Sequence, residues 1–142
     1  MVSFLCKFRP RSVQAKHTAA YKRAVVSAYR MYHKSDATLL EENLYGIAYY
    51  FHKRPTEMDA DNLSKPIWDA LETILYEDDR AIKIRYAGTF AISEPGAAMV
   101  LHLERMPEGL YHDFLQAIDA EDHIIYIEVG TANLDLYRIG VE

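Results

Sequence analysis

The chain has 142 residues, half of them apolar, with 16 basic against 21 acidic side chains and a formal net charge of −5. That length supports one domain around one core. The longest apolar runs, such as Leu44 to Phe51, fall far short of a membrane span, and a lone cysteine, Cys6, leaves no internal disulfide.

In chain order, Val2 to Phe8 alternates as a first strand, closed by Arg9-Pro10-Arg11-Ser12. Cys6 falls in that apolar pattern and is expected to be a buried, inert thiol. Thr18 to Tyr32 is helical, with Tyr21, Val25, Ala28 and Tyr32 at helical spacing, and Ser35-Asp36 ends it. Leu44 to His52, rich in Tyr, Ile and Phe, reads as a second strand stopped by Pro55. A helix from about Asn62 to Leu75 buries Leu63, Ile67, Leu71 and Ile74, with Pro66 expected near its first turn, where a missing N–H costs least. Ile82, Ile84 and Tyr86 alternate with Lys83 and Arg85 in a half-buried strand. Glu94-Pro95-Gly96 turns the chain into a further strand over Ala98 to Leu103. Tyr111 to Ile118 reads as a short helix and His123 to Val129 as a last strand.

Helical and strand periods alternate, so the expected fold is α+β: a single small domain with a mixed sheet and helices packed on it. Residues 1–130 are assigned to that domain and 131–142 to a weakly patterned C-terminal tail. Met1 to Lys7 lacks the pattern of an export leader, and a cytoplasmic location is expected.

Charge is unevenly spread. From Met1 to Met58 ten basic residues face four acidic ones, whereas from Pro107 onward there are eight acids and one base, Arg138. The basic front half permits phosphate contacts. Arg9, Arg11, Lys16, Lys83 and Arg85 are the candidates for DNA binding.

The acids of the middle carry the chemistry. Asp59 and Asp61 stand two apart ahead of the helix expected from Asn62. In an extended approach such side chains share a side and can face one point. Two carboxylates that close repel unless a cation lies between them, and oxygen-only ligands suit Mg²⁺ or Mn²⁺. The plainer reading makes Asp61 an N-cap and Asp59 a solvated turn residue. Asp61, Lys65 and Asp69 fall at i, i+4 and i+8, one polar stripe opposite the apolar one. Asp78-Asp79 then leads into the next strand. The helix is about 20 Å long, so Asp79 meets the Asp59 end only if the strands bring it there. An EF-hand is excluded, because Leu63, Ser64 and Ala70 occupy its fifth, sixth and twelfth loop positions. There is no Gly-rich phosphate loop and no paired-histidine metal spacing.

Asp59-Ala60-Asp61-Asn62-Leu63-Ser64-Lys65-Pro66-Ile67-Trp68-Asp69-Ala70-Leu71, followed by Tyr76-Glu77-Asp78-Asp79-Arg80, resembles the central motif of the RusA family of Holliday-junction resolvases. The family pattern is an acidic residue, any residue, Asp-Asn-Leu, any residue, Lys, then Asp-Ala-Leu and, after a short gap, Asp-Asp. Arg9-Pro10-Arg11-Ser12-Val13 and Ala20-Tyr21-Lys22-Arg23-Ala24-Val25 are similar to the family's opening loop and first helix, and Tyr111 to Val129 to an ending found in some members. The resemblance implies a RusA-like homodimeric endonuclease, bacterial or phage-encoded. It would resolve four-way DNA junctions with Mg²⁺ or Mn²⁺ by paired symmetric nicks, in DNA recombination and repair. Carried over by position, Asp59, Asp61 and Asp79 would be catalytic metal ligands, Lys65 the catalytic basic residue and Asp78 an auxiliary metal-binding acid. The alternative is a catalytically weak RusA-like module that binds DNA junctions. The aromatic strands around Tyr45 to Phe51 or His123 to Val129 offer an edge or a face for dimerisation. Two departures stand out. Many members have a Gly in the gap where this chain has Glu72-Thr73-Ile74-Leu75, and the basic run some carry before the first Asp is reduced to Lys53 and Arg54.

Overall fold

Alternation along Leu44–His52 (β2) buries Leu44, Ala48 and Tyr50 on one face and Phe51 on the other, which requires cover on both sides of the sheet. The computed structural model describes residues 1–12, 16, 18–34, 39–92, 101–137 and 139–140. The other strands are Val2–Cys6 (β1), Ile82–Ala91 (β3) and His123–Thr131 (β4), and the helices are Thr18–Tyr32 (α1), Ala60–Ala70 (α2) and Glu108–Ala120 (α3). The four strands form one mixed sheet in the order β1-β4-β2-β3. β4 runs antiparallel to both β1 and β2, and β2 runs parallel to β3. This is the α+β domain expected from the sequence, with helices packed on a mixed sheet.

Helices α1 and α2 cover one face. Tyr21, Val25 and Tyr29 of α1 and Leu63, Ile67 and Trp68 of α2 join Phe4, Cys6, Ala48, Tyr50, Ile125 and Ile127 in the main core. Cys6 is fully buried, and burial pushes its thiol pKa far up, which makes it inert. On the opposite face α3 contributes Leu110, Phe114 and Ala117 against Leu5, Phe51, Ile124 and Tyr126. Gly46 lets α2 sit close to the sheet, since a Cβ there would lie 2.8 Å from the Trp68 ring. The close approach fixes the C-terminal half of α2 beside the start of β2.

Several elements differ from expectation. The central helix starts at Ala60 and stops at Ala70, and turns fill the stretch to Leu75. Thr73 takes a φ of +65°, in the left-handed region, which a continuing helix does not allow. Pro66 therefore sits in the second turn rather than the first. Leu101 to Leu103 are not strand, and the rest of the strand expected over Ala98 to Leu103 lies outside the described residues, as do Glu94-Pro95-Gly96 and Ser35-Asp36. β2 and β4 are both internal strands, so neither offers an edge for dimer pairing; only a face remains.

Candidate active site

The β2–α2–β3 unit positions the acids. Its parallel register pairs Leu44 with Ile82 and His52 with Ala91. Asp79, just ahead of β3, therefore lies at the end of the sheet where β2 begins, whereas Asp59 follows the end where β2 finishes. α2 runs back between the two. Asp79 thus meets the flank of α2 rather than its N-terminus.

Asp59 is the N-cap of α2, extended at φ −105° and ψ 169°, and its Oδ1 accepts the Asn62 amide at 2.9 Å. Asp61 lies in the first turn. The roles in the plainer sequence reading are exchanged: Asp59 is the cap, because the helix begins two residues early. The shared-side argument for an extended Asp59–Asp61 pair does not apply, since Ala60 and Asp61 are already helical. Both acids are exposed and close to the positive end of the helix dipole.

The second group gathers around Asp79. Lys65 Nζ donates to Asp79 Oδ2 at 2.7 Å and to Asp69 Oδ1 at 2.9 Å. Arg85 Nη2 donates to the Asp79 carbonyl at 2.7 Å and to Oδ2 at 3.3 Å, and the Asp79 amide donates to Glu72 Oε1 at 3.1 Å. The Asp79 side chain is only 12% exposed. The Lys65 bond holds its carboxyl below the usual carboxylate range against the opposing effect of burial, with Lys65 and Arg85 charge adding to the shift. Lys65 is held protonated in turn by its bonds to Asp79 and Asp69. Asp78 caps the short 3₁₀ turn Asp79–Ala81, accepting the Arg80 amide at 2.8 Å and Arg80 Nε at 3.2 Å.

Among the described residues, one oxygen from each of Asp69, Glu72 and Asp79 lies within 4.8 Å of the others, a group that could hold a metal ion. Asp59, Asp61 and Asp78 are not in that group. Its donors are all hard carboxylate oxygens, which fit Mg²⁺ or Mn²⁺. Lys65 occupies Asp79 Oδ2 and would have to yield there to a cation. Glu72 lies outside the motif residues that the sequence marks, and the signal for it is its place one turn beyond Asp69.

The five expected DNA contacts, Arg9, Arg11, Lys16, Lys83 and Arg85, are all exposed residues. Arg85 is turned inward to Asp79, its side chain one-third exposed.

These observations define a small α+β domain with a lysine-bridged carboxylate site on the flank of a βαβ unit. The model of the family described as endodeoxyribonuclease RusA matches residues 6–98. The chain belongs to the RusA endodeoxyribonuclease family and is a nuclease by membership. The matched span holds both acidic groups and Lys65, and ends ahead of α3 and β4. No match was found among curated proteins.

Proposed function

We propose that the chain is a divalent-metal-dependent endonuclease that resolves four-way DNA junctions as a homodimer, by paired symmetric nicks in DNA recombination and repair, in the bacterial or phage-infected cytoplasm. The observation that carries the reading is the Lys65–Asp79 bond, which joins the two halves of the family motif across the βαβ unit.

In this reading Asp79, with Asp69 and Glu72, holds Mg²⁺ or Mn²⁺ on the flank of α2, and Asp59 and Asp61 at the helix N-terminus, with Asp78 as auxiliary, supply further metal ligands. The metal would activate water and neutralise charge on the phosphate. Lys65 offers the phosphate a compact cation once Asp79 turns to the metal. Glu72 and Arg85 hold the Asp79 main chain from either side. Arg9, Arg11, Lys16 and Lys83 contact flanking phosphates, so binding weakens as salt rises. Two-fold-related cuts call for two identical sites. Support for a dimer comes from a mainly apolar groove of about 560 Å³ between the α3 face of the sheet and the segment 101–106, lined by Tyr45, Ile47, Tyr49 and Tyr126 with Leu101, Leu103 and Met106. No helix among the described residues is long and apolar enough to cross a membrane.

The test is cleavage of an end-labelled four-way junction and of a linear duplex of the same sequence, with Mg²⁺ and with chelator. Symmetric, metal-dependent nicks confined to the junction are expected. Junction binding without cleavage in either Mg²⁺ or Mn²⁺ would make the chain a binding module instead.

A further inference from the structure

The end of the sheet where β2 gives way to the loop leading to Asp59 carries two histidines directly opposite each other. His52 closes β2, His123 opens β4, and they are register partners. Tyr50 lies beside both, its ring 5.0 Å from His52 and 6.0 Å from His123. The buried Tyr50 hydroxyl bonds His123 Nδ1 at 2.7 Å, and His52 Nδ1 donates to the Arg54 carbonyl at 2.8 Å. Each ring is thus anchored through Nδ1, and neither Nε2 bonds any of the described residues.

The surroundings are cationic. Arg9, His52 and Arg54 all bear on His123; together with burial, the largest effect, they hold its pKa below the ordinary histidine value, opposed by Asp122. Asp122 is already paired with Arg54 at 3.2 Å, and no carboxylate pairs with Arg9 among the described residues. Like charges directly opposite on paired strands destabilise each other. An oxyanion accepting from both Nε2–H groups removes that repulsion.

We propose that His52, His123 and Arg9, set on the Tyr50 platform, form a subsite for a backbone phosphate of the DNA substrate, and that this subsite takes up protons when DNA binds. The inference rests on the nuclease reading above. DNA is the fitting source of the phosphate because the chain passes from His52 through the loop 53–58 straight to Asp59. A phosphate held here lies at the Asp59 end of the sheet, opposite the end where Asp79 stands. Two ring nitrogens and a guanidinium, all donors once the rings are protonated, match a phosphate's acceptors.

The test is the affinity of the metal-free protein for a four-way junction at pH 8 and pH 6, at constant ionic strength. Each proton taken up strengthens binding by as much as about tenfold per pH unit, so a rise of tenfold or more is expected. The double variant His52→Gln, His123→Gln should lose the rise between pH 8 and pH 6. In Arg9→Gln, whose side chain is exposed, NMR of the His123 ring should show titration at a higher pH, with weaker junction binding throughout. A flat profile in wild type, or an undiminished slope in the double variant, overturns the subsite while leaving the nuclease reading intact. Absence of DNA binding at both pH values would instead defeat the nuclease reading. Inorganic phosphate that shifted the His123 resonance as fully as junction DNA at equal micromolar concentration would assign the subsite to free phosphate and overturn the DNA assignment.

Discussion

Lys65 Nζ stands 2.7 Å from Asp79 Oδ2, so a single ammonium joins the middle of α2 to the residue that opens the turn into β3. The two are 14 positions apart in sequence and belong to different halves of the family motif. Because the parallel β2–β3 register sends Asp79 away from the helix N-terminus, Lys65 is the group that links them.

Lys65→Arg separates charge from shape. A planar guanidinium keeps the positive charge but cannot place a compact ammonium between Asp69 and Asp79. The variant should fold, dimerise and bind junctions like wild type while losing most of the cleavage rate. Single-turnover cleavage beside a binding titration measures both. Near wild-type cleavage would reduce Lys65 to a structural ion pair.

Asp61→Asn should abolish cleavage with junction binding unchanged or tighter. The substitution removes a metal ligand and also a repulsion toward DNA phosphate. It leaves the cap at Asp59 untouched, so helix stability should change little. A folded variant that lost binding along with cleavage would contradict the catalytic assignment.

Much of this was legible in the sequence because local pattern decided it. Thr18–Tyr32 and Leu44–His52 fall where apolar spacing places them. The motif residues could be named because they resemble a known family's pattern; spacing alone left Asp59 and Asp61 open between a metal pair and a helix cap. The meeting of Asp79 with the flank of α2 was not legible, because it depends on whether β2 and β3 pair in parallel. The early stop of α2 at Ala70 depends on the conformation of one residue, Thr73, which no periodicity reports. The bond from Arg85 to the Asp79 carbonyl was not legible either, because strand alternation gives the face of a side chain and not its partner.

Acid should expose the Asp79 network. Its carboxyl has a lowered pKa in the folded state, first through the Lys65 bond. The resulting stabilisation is complete above the unfolded value of about 3.9 and is lost as pH falls through the folded one. Asp79→Asn should therefore be less stable than wild type at pH 7, with the gap closing in the acid range below about pH 4. Urea titrations in chelator at neutral and acid pH would measure it. A gap that widened on acidification would refute this account.

Thr73→Gly should stabilise the protein. A β-branched residue at φ +65° pays roughly 1–2 kcal/mol for the left-handed conformation, while glycine costs about 0.5–1 kcal/mol in chain entropy. The net gain should be up to about 1.5 kcal/mol. It falls in the gap where many family members carry a glycine. Thermal unfolding checks it, and a lower midpoint would show that Thr73 is held by contacts outweighing the strain.

Arg85 distinguishes a DNA contact from a positioning residue. Its guanidinium reaches the Asp79 carbonyl at 2.7 Å and the carboxylate at 3.3 Å, while Glu72 takes the Asp79 amide from the other side at 3.1 Å. Main chain and side chain of Asp79 are thus fixed together, which sets where the carboxylate points. If Arg85 met phosphate, Arg85→Gln would weaken junction binding and flatten its salt dependence by about one released counterion. If it positions Asp79, binding and its salt slope stay as they were while cleavage falls roughly 10–100-fold, the usual cost of losing a group that orients a metal ligand. Arg85→Lys should not rescue, because a point charge cannot span carbonyl and carboxylate together. The ion pair is partly exposed, so the stability loss should be small, about 1 kcal/mol or less. Binding measured across salt, paired with single-turnover cleavage, separates the two roles. The positioning role is expected, and a salt slope reduced in step with cleavage would return Arg85 to the DNA interface.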